Sequence, residues 1–207
     1  MRTSLFLALT ALGACGGSPL PAPAARPTTA SVAAPSTAPA PSSANSSAPA
    51  PAANAASSEF APTPYTAEQI RKATAVGRTY DFRTEVAGAP TRRLTIAFTK
   101  VTDAEVETRN SLLDEQGKEM ATPRISTSTW DELRKHAEFP RATTVIADEK
   151  ITVPAGTFEC ARYTVTEASG EVSKFYFAKK MPGPPILFMT DKQGTRVMTT
   201  TLIHYAN

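Results

Sequence analysis

From Tyr80 onward most of the chain is written in alternation. Tyr80, Phe82, Thr84 and Val86 alternate with Asp81, Arg83 and Glu85, the period of a strand with one buried face. Gly88-Ala89-Pro90 turns the chain, and Leu94, Ile96 and Phe98 then alternate with Arg93, Thr95 and Thr99. A third run carries Val106, Leu112 and Leu113, with Glu105, Glu107 and Arg109 on alternate positions, and ends at the turn Glu115-Gln116-Gly117-Lys118. Further strands are predicted over 143–151, 157–166, 172–180, 186–190 and 195–205. Ala168-Ser169-Gly170 and Asp191-Lys192-Gln193-Gly194 are read as turns. Ile186-Leu187-Phe188-Met189 is apolar on both faces and reads as a central strand covered by a helix.

The period changes twice. Thr66-Ala67-Glu68-Gln69 fits a capping box, because a Thr hydroxyl and a Gln side chain three residues on can satisfy each other's backbone N–H groups. A helix is predicted to run to about Val76 and stop at Gly77, with a thin apolar stripe of Ala67, Ile70 and Ala73. A second helix starts at Ser128 or Thr129. Glu132 completes its capping box, Trp130, Leu133 and Ala137 share a face, and Pro140 closes the region. Trp130 is the expected anchor on the sheet. The sum is an α+β domain: a mainly antiparallel, curved β-sheet of about seven or eight strands with two helices packed on it. Tight turns between strands of meander length favour antiparallel pairing.

Composition divides the chain. Residues 1–62 hold three charged side chains, Arg2, Arg26 and Glu59, which leaves 20 basic and 18 acidic side chains downstream. That balance offers no electrostatic reason to expect nucleic acid. Arg2 and the apolar run Leu5–Leu12 have the shape of a secretory signal, too short for the roughly 20 residues a bilayer span needs. Residues 16–62 contain ten prolines among Ala, Ser and Thr. Such a segment cannot offset its ordering entropy, and it is expected to be a disordered tether with polyproline II character.

Leu12-Gly13-Ala14-Cys15 resembles the lipobox of bacterial lipoproteins. The resemblance implies cleavage before Cys15, acyl chains on its thiol and amino group, and outer-membrane placement, since Gly16 stands where Asp would signal inner-membrane retention. Two or three chains make a durable anchor where one binds only marginally. The expected organisation is a signal peptide over 1–14, lipidated Cys15 with its tether over 15–62, and one globular domain over 63–207. Ile151-Thr152-Val153-Pro154-Ala155-Gly156-Thr157-Phe158 and Phe175-Tyr176-Phe177-Ala178 resemble strands and turns of uncharacterised secreted bacterial β-domains. In style these are similar to the LolA/LolB-like lipoprotein carriers, whose helix-plugged half-barrel can hold an acyl chain.

Candidate chemistry is sparse. His136 and His204 lie far apart, and no Cys-x-x-Cys or His-x-x-x-His is present, so a metal is not expected. No Gly-x-Ser-x-Gly nucleophile turn or Gly-rich phosphate loop occurs. Cys160, left unpaired once Cys15 is lipidated, sits mid-strand and reads as core packing rather than as a thiol–imidazole partner of His136 or His204. The most unusual surface feature is Pro182-Gly183-Pro184-Pro185. With Met181 it is a candidate rigid rim that presents Met181 and Ile186 to a ligand or partner. The expectation is a cofactor-free, non-enzymatic lipoprotein, tied to the membrane by its lipid, that binds an envelope protein or an apolar ligand within a concave sheet. An envelope hydrolase with an unrecognised active site is the alternative.

Overall fold

The computed structural model describes residues 59–207. The signal, Cys15 and nearly all of the tether fall outside the described residues. In chain order the elements are helix α1 (Ala67–Ala73), strands β1 (Thr79–Val86), β2 (Arg92–Val101), β3 (Glu105–Leu113) and β4 (Arg124–Thr129), helix α2 (Trp130–Lys135), a 3-10 turn (Arg141–Thr143), then β5 (Thr144–Val153), β6 (Gly156–Thr166), β7 (Val172–Ala178), β8 (Leu187–Lys192) and β9 (Thr195–Ala206). One open sheet runs β4-β3-β2-β1-β9-β8-β7-β6-β5, and every pairing is antiparallel. Two meanders, β1–β4 and β5–β9, therefore meet along β1 and β9. Register shifts at Asp81/Phe82, Phe98/Lys100 and Thr190/Asp191 bend the sheet.

The α+β class and the antiparallel pairing are as expected, but the sheet has nine strands rather than seven or eight. The addition is β4. Its residues, Arg-Ile-Ser-Thr-Ser-Thr, include one apolar side chain, and Ile125 points to solvent at 54% exposure. An edge strand with little to bury has no hydrophobic alternation to read. Helix α1 ends at Ala73, well before Gly77. Its C-cap Thr74 is extended, and the Thr74 hydroxyl donates back to the Ile70 carbonyl at 2.8 Å, a bond that competes with helix continuation. Gly77, at φ 88°, instead aims its N–H at the Phe98 carbonyl and leads into β1.

Directly opposed residues of antiparallel strands share a face. Tyr80 lies between Ile96 and Tyr205, and Phe82 between Leu94 and Leu202. This row is the centre of the core, and Trp130, Phe139, Tyr65 and Ile70 pack into the same cluster. Both capping boxes are formed, at Thr66 with Gln69 and at Thr129 with Glu132. Trp130 is buried as expected, and its indole N–H donates to the Thr102 carbonyl at 3.0 Å.

The link from β4 to β5 must travel from one edge of the sheet to the other. It does so through α2 and the strap 136–140. Phe139 lands on Phe175 (centroids 4.6 Å apart) and near Tyr163 (5.7 Å). Residues 59–62, expected to belong to the tether, run alongside. Phe60 bridges Pro140, the Ala61 N–H donates to the Phe139 carbonyl at 2.9 Å, and the Tyr163 hydroxyl donates to the Pro62 carbonyl at 2.8 Å. Ala61 is buried, so residues 59–62 pack with the domain. No helix among the described residues is long and apolar enough to cross a membrane.

Candidate functional site

The Met181–Pro185 segment connects β7 to β8. Three of its residues are prolines and lack an N–H, so the backbone is fixed mainly at its ends. The Met181 N–H donates to the Ala178 carbonyl at 3.0 Å and the Ile186 N–H to the Tyr176 carbonyl at 2.8 Å. All five residues are half-buried. The expected projecting rim is therefore a flat cover. Ile186, expected to be offered to a ligand, is fully buried, and Met181 packs against the core.

What lies beneath is the most unusual polar arrangement among the described residues. A Cβ at Gly183 would meet the Tyr80 hydroxyl oxygen at 2.5 Å, so the cover touches the phenol closely enough to require glycine. Tyr80 is 1% exposed, and its hydroxyl has no hydrogen-bond partner. Arg78, 3% exposed, stacks its guanidinium over the Tyr80 ring 4.9 Å from the centroid. Arg78 Nη1 donates to the Ala73 carbonyl at the end of α1, while Nε is buried without a partner. No carboxylate pairs with Arg78 among the described residues. Beside them Tyr65 donates its hydroxyl to the Ala178 carbonyl at 2.6 Å, with a long contact of 3.4 Å to the Met181 carbonyl. Burial raises the Tyr80 phenol to about 12 and pushes that of Tyr65 higher still, so both stay protonated donors at neutral pH.

Tyr80 was legible as a core residue. Arg78 was not, because an arginine just before a strand ordinarily keeps its head group in water. What it meets is the Ala73 carbonyl at the end of α1 and the Tyr80 ring, on whose hydroxyl Gly183 rests about a hundred positions later.

The nucleophile candidates do not assemble. Cys160 is a fully buried free thiol, its sulfur lies 3.8 Å from the Phe158 carbonyl, and burial, with Glu149 second, raises it to about 11. A thiol so protonated is a poor nucleophile. His204 Nδ1 lies 3.4 Å from Asp81 on the neighbouring strand, but the hydroxyl of Thr95 donates to Asp81 at 2.5 Å rather than to the imidazole. That order does not activate a hydroxyl. Among the described residues no group of three or more His, Cys, Asp or Glu side chains could hold a metal.

Two depressions mark the surface. One, of about 210 Å³, is lined by Asp148, Glu149, Lys150, Glu159, Cys160 and Lys179. The other, of about 320 Å³, is lined by Thr95, Ala97, Arg109, Ser111, Leu113 and Glu119. Both are open to solvent and bordered mainly by charged or hydroxyl-bearing residues, unlike the apolar enclosure an acyl chain needs. The outer edge of the sheet is a different matter. β5 ends the strand order, no described strand pairs with its outer side, and it exposes Val145 (65%) and Ile146 (40%).

No family model matches the chain, and no curated protein matches it. Solved structures similar to it include three of MucB. The complex structure of Pseudomonas aeruginosa MucA/MucB has a TM-score of 0.45 at 11% identity and covers 67% of this chain and 54% of that chain. A crystal structure of MucB gives 0.46 at 11%, covering 67% and 56%. MucB in complex with MucA(peri) gives 0.44 at 13%, covering 67% and 55%. The chain thus spans about half the length of these chains, and at such scores they leave its family open.

Proposed function

We propose that this chain is a lipid-anchored cell-envelope protein, tied to the outer membrane through Cys15, whose domain binds a partner protein by adding a strand to the open edge of β5. The observation that carries the reading is the N-terminal half of that strand. Its outer backbone groups are unpaired among the described residues, and consecutive Val145 and Ile146, which point to opposite faces, are both exposed. Natural sheets guard such edges with charge, proline or a covering element. Here Thr144-Val145-Ile146-Ala147 carries none of these before Asp148. Strand addition uses the backbone for affinity and alternate side chains for specificity.

The other half of the expectation, an apolar ligand within the concave sheet, finds no support in the geometry when read as a long acyl chain. The core face of the sheet is occupied by Tyr65, Trp130, Phe139 and Ile70 of the chain itself. The hydrolase alternative also has no assembled nucleophile and base among the described residues.

The test is a photo-crosslinking residue at position 145 of the full-length chain in its own cells. A discrete protein adduct is expected, and Ile146→Lys should abolish it. The reading falls if position 145 gives no adduct beyond that of exposed Val76, which lies away from β5. Cys15→Ser should move the protein out of the membrane fraction, and continued membrane association would refute the anchor.

A further inference from the structure

We propose that Arg78 and Tyr80 form a recognition site for a short-chain monocarboxylate, roofed by the Met181–Pro185 segment. The site is separate from the β5 edge and does not depend on strand addition there. Buried arginines are ordinarily paired with a carboxylate or saturated by acceptors. Arg78 is 3% exposed and has one acceptor among the described residues, the Ala73 carbonyl, whose place at the end of α1 supplies only a partial negative charge. Its Nε–H is orphaned. The Tyr80 hydroxyl, whose ring the guanidinium covers, is orphaned as well. Two unsatisfied donors on adjacent side chains, one of them cationic, lack the same thing: an anionic acceptor.

The chemistry of the donors selects the ligand. A single positive charge beside neutral phenols balances a monoanion, and a planar carboxylate matches the guanidinium fork. A phosphate dianion would bury an excess negative charge. The surroundings are apolar, since the Tyr80 ring stacks on Phe82 and meets Phe98 edge-on. The core is otherwise filled, so a ligand would have to displace part of the Met181–Pro185 cover, which limits it to a short alkyl group rather than a long acyl chain. The middle of that cover has few bonds to give up. Between Met181 and Ile186 only Gly183 carries an N–H, and it makes no hydrogen bond among the described residues. Gly183 sits directly on the Tyr80 hydroxyl.

The experiment is equilibrium dialysis of the full chain with radiolabelled butyrate, with butanol and inorganic phosphate as competitors. Wild type is expected to bind butyrate saturably and to ignore both competitors. Tyr80→Phe, which keeps the ring and removes only the unpaired hydroxyl, should weaken butyrate several-fold. Arg78→Met should weaken it more than tenfold. The Tyr80→Phe result stands on its own should Arg78→Met fail to fold. The proposal is overturned if wild type binds no butyrate at millimolar concentration, if Tyr80→Phe binds it unchanged, or if butanol or phosphate competes equally well.

Discussion

The Tyr65 hydroxyl donates to the Ala178 carbonyl at 2.6 Å, across 113 positions of sequence. One phenol thus ties the segment before α1 to the last residue of β7, where the Met181–Pro185 cover begins. Tyr65→Phe keeps the edge-on contact with Phe177 (6.1 Å) but leaves the buried carbonyl without this donor. The expected cost is ~1–2 kcal/mol, read as a fall of several degrees in the thermal midpoint. An unchanged midpoint would show that the bond contributes nothing net.

Gly183→Ala places a methyl group 2.5 Å from the Tyr80 oxygen and 3.2 Å from the ring carbon that bears it. Overpacking of this kind costs roughly 1–3 kcal/mol. Tyr80→Phe removes the nearer atom, so the double variant should recover part of the loss. A denaturation cycle over the four proteins measures the coupling. Additive losses would mean that the cover does not rest on the hydroxyl.

Alkaline stability should reflect Cys160 and Tyr80. Both groups are held protonated by burial, with folded values of about 11 and about 12 against unfolded values of 9.0 and 10.0. A raised acid contributes stability that is complete below its unfolded value and is lost as pH rises toward its folded one. Denaturant midpoints should hold to about pH 9 and then decline. Cys160→Ala should flatten the part between pH 9 and 11. In the native state the thiol should resist an aromatic disulfide reagent and react only on unfolding.

The α2 capping box is testable through its anchor. Thr129→Ala removes the acceptor for the Glu132 N–H (3.2 Å), and the loss of an N-cap costs ~1 kcal/mol. Glu132 in turn accepts from the Thr129 N–H and hydroxyl, which lowers its carboxyl below the usual value. Its contribution is present above the ordinary carboxylate range and fades as the pH falls through it. Glu132→Gln should make this acid dependence shallower. Trp130 fluorescence reports both variants, because Trp130 is the first residue of α2 and its indole donates to the Thr102 carbonyl between β2 and β3.

Much of the domain could be read from local pattern. Thr66 and Thr129 announce their helices because a capping box is complete within four residues. The strands that carry Tyr80/Phe82 and Leu94/Ile96/Phe98 announce themselves because one face is buried. β4 stayed hidden because burial writes the alternation, and an edge strand with Ile125 in solvent has almost none. The site stayed hidden for the opposite reason. Met181–Pro185 was conspicuous in composition, but prolines and a glycine say only that a loop is stiff. That it rests on the Tyr80 hydroxyl, and that Arg78 is buried against the same ring, depends on contacts between distant stretches. Local chemistry carries no record of these.

The seam between the two meanders has a consequence for how the molecule is made. Thr84 and Thr200 share a 3.0 Å hydroxyl hydrogen bond across 116 positions, and the whole of β1 waits for β9 in the same way. A polypeptide produced or threaded from its amino end completes β1–β4 long before that partner strand emerges. For that interval Thr79–Val86 is an unsatisfied template, able to recruit any extended peptide nearby. A chaperone that occupies this strand during biogenesis would shield it until β9 arrives.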